Sequence, residues 1–387
     1  MGEFKMMLCG VDWTKAHTQR VATLSAVLSV FFTPRAMSNT AVAPDLPKNS
    51  QLELVFAGKG VVWGIDSLSD TQILFTEKSG QLSVFETSTK SFISISGLPE
   101  VSTSGQGGLL DVRVAPSFQK DFRIYFTYSK KVENSATTAL ATAILDLKQK
   151  KLLNLRELFV GKTDNSGSVH FGSRIVFDGQ GHLFFGIGDR GERDRAQDLA
   201  WHNGKIIRLN LDGTIPKDNP FVNRKGALPE IFSYGHRNPQ GLYYSKRLQK
   251  LFNSEHGPRG GDEINEVQAG KNYGWPVITY GREYYGPKIG VGASQAGMEQ
   301  PIKYYVPSIA PSSLIIYESK KIPALKDKFV LGALVLQHLN VVSLDGKTEK
   351  RYLENFNKRV RQVHETPSGS LLIGTDSGEI FRLSPAS

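Results

Sequence analysis

One local theme recurs six times between Gln72 and Thr375: a short run of apolar, β-branched or aromatic residues, entered from a turn and left through a polar or glycine-containing break. The runs are Gln72–Glu77, Arg123–Tyr128, His182–Ile187, Lys250–Glu255, Lys328–Ala333 and Ser370–Thr375, one per 40 to 80 residues. Such a run is too short for a helix of ordinary length and cannot bury its apolar side chains alone. Its spacing is that of propeller blades with loop insertions. Second segments follow the first and last runs, at Gly80–Val84 and Gly378–Leu383, as the next strand of a blade would. A chain of 387 residues ordinarily suggests two domains, but blades share one closed ring and need no second core. The 38 glycines suit many tight turns, and long amphipathic helical patterns are scarce after the leader. The expected fold class is all-β, a six-bladed β-propeller, in preference to a pair of β-sandwiches.

Residues 1–45 read differently. Lys15, His17 and Arg20 precede the apolar run Val21–Phe32, and small residues follow at Ala36, Ser38 and Ala41–Ala43. A run of about a dozen is too short to span a bilayer but fits the apolar region of a signal peptide. The Pro-, Ala-, Asn- and Ser-rich stretch Thr40–Ser50 reads as a linker. The expected organisation is a leader and linker over 1–45, then one propeller over 46–387, exported to the periplasm or beyond with no stable membrane insertion. The net charge of +10 is spread out, with only short pairs such as Lys130-Lys131, Lys150-Lys151 and Lys320-Lys321. That describes a solvated basic surface, and no nucleic-acid partner is expected. Cys9 is the single cysteine, so no intramolecular disulfide forms.

Three segments carry candidate chemistry. His170 precedes the strand pair Ser173–Phe177 and His182–Ile187, which ends at Gly188-Asp189. A hairpin there brings His170 and Asp189 together, either as a base with its orienting acid or as a structural hydrogen-bonded pair. The polar, glycine-rich Tyr234–Gly241 presents Arg237, whose guanidinium suits an anion or a quinone oxygen, or else stabilises its own turn. Glu255–Asn265, with Lys271–Pro276 after it, combines a Gly-Pro turn with Asp262 and Glu263. Hard oxygens without thiols or a close His pair fit calcium better than zinc.

In this order and spacing the chain resembles the soluble PQQ-dependent glucose and aldose sugar dehydrogenases, the glucose/sorbosone dehydrogenase family. The resemblance runs from about Val62 to Leu383. Its most specific stretches are Gly105–Leu110, Gly204–Gly213, Gly235–Gly241, Glu255–Asn265 and Asn272–Pro276. It implies a propeller that holds PQQ in a cleft at one end of its axis and oxidises an aldose at C1 to the lactone. By the same resemblance His170 is the general base, Asp189 orients it, and Arg237 and Asn238 lie beside the quinone. Gln106 meets cofactor and substrate, and Arg359 and Arg361 grip PQQ carboxylates. The carbonyls of Gly257 and Pro258 match ligands of one Ca2+, Glu263 and Tyr273 ligands of a second. Electrons pass to an outside acceptor that the resemblance leaves unidentified.

The sequence departs from that pattern in three places. The family usually places a PQQ-binding lysine in the segment matching Gly332–His338, and here Val335 stands at the best-matching position, with Gln337 and His338 as possible substitutes. Val169 replaces an acid that touches the sugar in some glucose-specific relatives. The loop Arg190–Asp198 also differs from theirs, so a glucose preference does not carry over. Two other readings remain at this level: a non-catalytic calcium- and sugar-binding propeller that has lost PQQ, and a calcium-dependent propeller lactonase. The lactonase has no obvious need of the Arg359 and Arg361 pair.

Overall fold

The computed structural model describes residues 45–133, 135–164 and 167–386, and the apolar run expected to be a signal peptide lies outside them. The chain forms six four-stranded antiparallel sheets. Blade 1 comprises Val62–Ser67, Gln72–Glu77, Gln81–Glu86 and Ser91–Ile95. Blade 2 comprises Leu109–Val114, Arg123–Val132, Ser135–Asp146 and Lys151–Val160. Blade 3 is built from Ile175–Phe177, His182–Ile187, Lys205–Asn210 and Ile231–Tyr234. Blade 4 follows with Pro239–Ser245, Lys250–Glu255, Asp262–Val267 and Lys303–Tyr305, and blade 5 with Pro311–Tyr317, Lys328–Ala333, Leu339–Ser343 and Glu349–Tyr352. Blade 6 takes Val360–Glu365, Leu371–Thr375 and Glu379–Pro385 from the end of the chain and Ser50–Ala57 from its beginning.

The first strand of each blade packs against the first strand of the next, and that of blade 6 against that of blade 1, so the ring closes. The architecture is the expected six-bladed propeller. Each of the six runs picked out by the sequence is the second strand of a blade. The reason is burial: a second strand has a strand on either side and a neighbouring blade on each face, so nearly every residue of Leu371–Thr375 or His182–Ile187 is enclosed.

Six apolar clusters, one per blade interface, make up most of the core. Leu74 and Leu82 meet Val112 and Phe126 between blades 1 and 2, for example, and Val55 and Leu372 meet Val62 and Phe75 between blades 6 and 1. The fourth residue of the second strand is Phe75, Phe126 and Phe185 in the first three blades, each fully buried and worth about 1.5–3 kcal/mol.

Antiparallel register decides where chemistry can sit. Val62 pairs with Glu77, Pro239 with Glu255, Pro311 with Ala333 and Val360 with Thr375. The start of every such first strand therefore lies beside the end of its second strand, at one mouth of the ring. Residues just before a first strand and just after a second strand converge there.

Candidate functional site

Two adjoining cavities occupy that mouth, about 770 and 340 Å³ in volume, and both are lined by Gln106 and His256. His170, Arg237, Gly257 and Pro258 line the larger. Asn238, Arg359 and Arg361 line the smaller. The sequence candidates thus meet in one two-lobed cleft, apart from Asp189, which sits behind His170, and Glu263 and Tyr273, which line a third, much smaller space.

His170 and Asp189 are joined as the hairpin suggested. His170 Nδ1 lies 2.6 Å from Asp189 Oδ1. A carboxylate only accepts, so Nδ1 carries the proton in this bond and Nε2 lies on the far side of the ring from Asp189. The His170 amide donates to Gln106 Oε1 at 2.8 Å, which ties His170 to the blade 1–blade 2 connection. Gly188 is required here because a Cβ would sit 2.3 Å from the His170 carbonyl oxygen. His170 itself has φ of +54°, a conformation uncommon outside glycine, and the turn turns its ring toward Asp189. Asp189 Oδ1 also accepts from the Gly191 amide at 2.8 Å, and Oδ2 accepts from Trp275 Nε1 at 2.8 Å. Burial pushes the Asp189 carboxyl up, but the His170 and Gly191 bonds and the nearby Arg237 charge outweigh it and hold it below the usual range. The pair is therefore an imidazole held through Nδ1 by a fixed anion, in a ring that lines the larger lobe.

Arg237 is held at both ends. Its amide donates to Glu255 Oε2 at 2.8 Å, and its Nη1 donates to the Gly257 carbonyl at 2.6 Å. The guanidinium lies 5.3 Å from the Trp275 ring centre. Asn238 accepts from Gln240 Nε2 at 3.0 Å and receives the His256 amide on its carbonyl at 3.2 Å. His256 is pushed down to about 3, first by burial and then by Arg237, Arg361 and His170, so it stays neutral in the cleft.

Behind this wall Glu255 and Glu263 lie buried near each other. Glu255 Oε1 gathers His236 Nδ1 at 2.9 Å and the amides of Asn253 and Asn265 at 3.2 Å. Burial pushes Glu263 up to about 8, and the Glu255 charge adds to the shift. The carboxamide oxygens of Asn253 and Asn265 are buried without a hydrogen-bond partner. Glu255 and Glu263 line the third space together and offer hard oxygens of the kind calcium takes. Tyr273 also lines this space, but its hydroxyl is committed to the Glu266 carbonyl at 2.6 Å and the Gln268 amide at 2.8 Å, leaving only its backbone to contribute. Among the described residues no three His, Cys, Asp or Glu side chains converge as a metal-binding group.

The smaller lobe is cationic. Arg359 Nε and Arg361 Nε each donate to Asp376 at 2.7 Å, and Arg361 Nη2 adds a bond of 2.9 Å. The two arginines hold the Asp376 carboxyl below its usual range against the effect of burial. Lys78 completes the lobe. The lobe thus sets three cations against one carboxylate.

Lys78, Asp376, Trp275 and His256 were not assigned roles from the sequence. A signal for three of them was present: Lys78, His256 and Asp376 each directly follow a second strand. Trp275 stood inside a quoted motif, but nothing local pointed its indole at Asp189. Val335 is exposed on the wall of the larger lobe, and His338 does not fill the gap left by the expected lysine. His338 is buried, lines neither lobe, and directs Nδ1 at the Leu336 carbonyl at 3.2 Å. The divergent loop after Asp189 forms a short 3-10 turn, Arg193–Ala196, anchored by Lys205 Nζ on the carbonyls of Arg195, Ala196 and Asn203.

Residues 60–382 match the Glucose / Sorbosone dehydrogenase family profile. The aldose sugar dehydrogenase YliI of Escherichia coli is 41% identical over 332 residues, covering 84% of this chain and 90% of that protein. The quinoprotein glucose dehydrogenase B of Acinetobacter calcoaceticus is 32% identical over 288 residues, 67% of this chain and 58% of the other. Among solved structures, the apo form of the soluble E. coli aldose sugar dehydrogenase superposes with a TM-score of 0.83 at 40% identity, covering 87% of this chain and 99% of that one. The PQQ-bound aldose sugar dehydrogenase of Streptomyces coelicolor gives 0.72 at 25% identity, covering 88% and 99%. Fold and matches together define the class, a β-propeller sugar oxidoreductase. Within it, the chain belongs to the glucose/sorbosone dehydrogenase family.

Proposed function

We propose that this chain oxidises an aldose at C1 to the lactone with PQQ and calcium, using His170 as general base, and passes the electrons to an external acceptor. The observation that carries the reading is the His170–Asp189 pair, with its proton-accepting nitrogen in a cleft whose second lobe carries excess positive charge. PQQ is a tricarboxylate, and Lys78, Arg359 and Arg361 are the chemistry such an anion calls for. Glu255 and Glu263, which line one small space, offer carboxylate oxygens for a structural calcium. Gly257 and Pro258 offer carbonyls for the other ion, the first of them shared with Arg237.

Bound PQQ supplies the hydride acceptor, and calcium supplies Lewis acidity at the quinone. The protein's part is proton transfer and alignment. His170 Nε2 removes the proton of the anomeric hydroxyl as hydride leaves C1. Asp189 keeps the required tautomer and stabilises the imidazolium that forms. Gln106 fixes the base through its backbone, and Arg237 presents a planar set of donors opposite it.

The test is reconstitution: apoprotein with PQQ and calcium, a panel of aldoses and a dye acceptor. Dye reduction is expected with the parent chain. With His170→Ala, turnover falls by at least about a hundredfold while PQQ binding persists. Unchanged turnover in that variant removes His170 from its role, and no dye reduction with any sugar removes the activity. The proposal includes export of 46–387 to the periplasm or beyond after a leader and linker over 1–45, resting on the basic residues before Val21–Phe32. N-terminal sequencing of the exported protein checks this, and an intact Met1 would overturn it.

A further inference from the structure

Lys78 follows the second strand of blade 1, at the mouth of the ring, and lines the smaller lobe with Arg359, Arg361 and Asp376. Its place is fixed by the backbone. The Lys78 amide donates to the Val61 carbonyl at 3.0 Å, and its own carbonyl accepts from the Leu109 amide at 3.3 Å. Gly108 passes so close that a Cβ there would sit 2.2 Å from that carbonyl oxygen. The strand end is thus wedged between blades 1 and 2, with the side chain at the lobe.

The ammonium is poorly matched inside the protein. Its one hydrogen bond among the described residues runs to the Thr103 carbonyl at 3.4 Å, near the limit for such a bond. Asp376, the carboxylate lining the lobe, is already occupied by both arginines. Burial and the Arg361 charge both press the Lys78 ammonium downward from its usual value, and Asp376 offsets them only in part. An anion entering the lobe would relieve that repulsion. Meanwhile the segment Gly332–His338 contributes no cation to either lobe.

We propose that Lys78 binds a carboxylate of the PQQ cofactor, supplying from blade 1 a cation that the blade 5 segment Gly332–His338 does not. The assignment rests on the PQQ reading above. It places this charge next to Arg361 of blade 6, so that PQQ is gripped across the interface between blades 6 and 1.

The experiment is equilibrium binding of PQQ to calcium-loaded apoprotein, read by quenching of tryptophan fluorescence, with no turnover involved. Lys78→Met is expected to weaken binding about ten- to a hundredfold, and Lys78→Arg to restore it to within about threefold of the parent. The parent's affinity also declines as the pH rises, because the bound anion favours protonated Lys78 and binding then takes up a proton; Lys78→Arg loses this slope. Melting curves of the free proteins confirm that the half-buried side chain is not needed for folding. Unchanged affinity in Lys78→Met, or a loss that arginine does not recover, overturns the assignment while leaving the PQQ reading intact. Absence of saturable PQQ binding in the well-folded parent overturns both.

Discussion

The proposed base of this site, His170, is positioned by what lies behind it. Asp189 is almost fully enclosed, and a buried carboxylate survives only when its oxygens are satisfied. Oδ1 has His170 and Gly191, whereas Oδ2 depends on the Trp275 indole, delivered from the long connection after the third strand of blade 4. Trp275 is therefore a positioning residue. Trp275→Phe keeps the ring's bulk and removes the donor, leaving Oδ2 unpaired at a cost of about 1–3 kcal/mol of stability. The carboxylate is then a weaker partner for an imidazolium, so kcat is expected to fall about tenfold with KM nearly unchanged. A rise in KM at constant kcat would instead mean that Trp275 shapes the sugar pocket and has no hold on the base.

At the scale of elements, the second strands were legible in the sequence and most first strands were not. A second strand is enclosed on all sides and reads as a continuous apolar run. A first strand faces the axis, and Leu109–Val114 and Val360–Glu365 carry Asp111, Arg113, Arg361 and His364 among their apolar residues. Asp111, Arg113 and His364 find partners across blades, as Asp111 does in Arg174 at 2.8 Å, and Arg361 pairs with Asp376 of its own blade, so neither period nor hydropathy announces the strand. The site was legible for the same reason in reverse: His170, Asp189 and Arg237 lie in polar segments that flank recognisable strands. Lys78 and Asp376 flank such strands too, but a single charge after a strand has no local signature until the ring assembles. The far ends of the first strands make the opposite mouth, a cavity of about 530 Å³ lined by Asp66, Arg113, Glu318, Glu365, Lys246 and His364 among others. His364 contacts Ser67 Oγ at 3.0 Å through Nε2 and Arg113 Nη1 at 3.4 Å through Nδ1. Burial lowers it to about 4; Asp66 opposes the shift and Arg113 adds to it. The native ring thus binds this proton less readily than the unfolded chain, whose histidine titrates near about 6.5. Its stabilising share is complete above that value and is lost as pH falls toward about 4, a swing on the order of 3 kcal/mol. Urea midpoints of His364→Gln and the parent should therefore converge or cross between about pH 7 and pH 4.5. Parallel curves would show that His364 does not titrate with unfolding.

For the whole molecule the decisive element is the strand that comes from the wrong end of the chain. Ser50–Ala57 pairs with Glu379–Pro385 from Ser50↔Pro385 to Ala57↔Glu379, and the Gly58–Gly378 and Ala386–Asn49 backbone bonds extend the seam at both ends. Without it, Glu379–Pro385 is an open edge and the interface between blades 6 and 1 loses Val55 from its core. The cationic lobe spans the same blade 6–blade 1 interface: Arg359, Arg361 and Asp376 belong to blade 6 and Lys78 to blade 1. Closure of the ring and assembly of the lobe are then one event, and under the proposed PQQ reading cofactor binding is coupled to global stability more tightly than at a site within a single blade. In the intact propeller, PQQ at about a hundred times its Kd should stabilise by about 2.7 kcal/mol. A chain beginning at Gly58 should melt well below the parent and gain nothing from PQQ, because the lobe's two halves no longer hold their spacing. Val55→Ala, which costs about 1–3 kcal/mol without opening the seam, should keep the full PQQ-dependent shift. If the shortened chain still folds and is stabilised by PQQ to the parent's extent, the lobe does not depend on ring closure, and the grip across the blade 6–blade 1 interface is wrong.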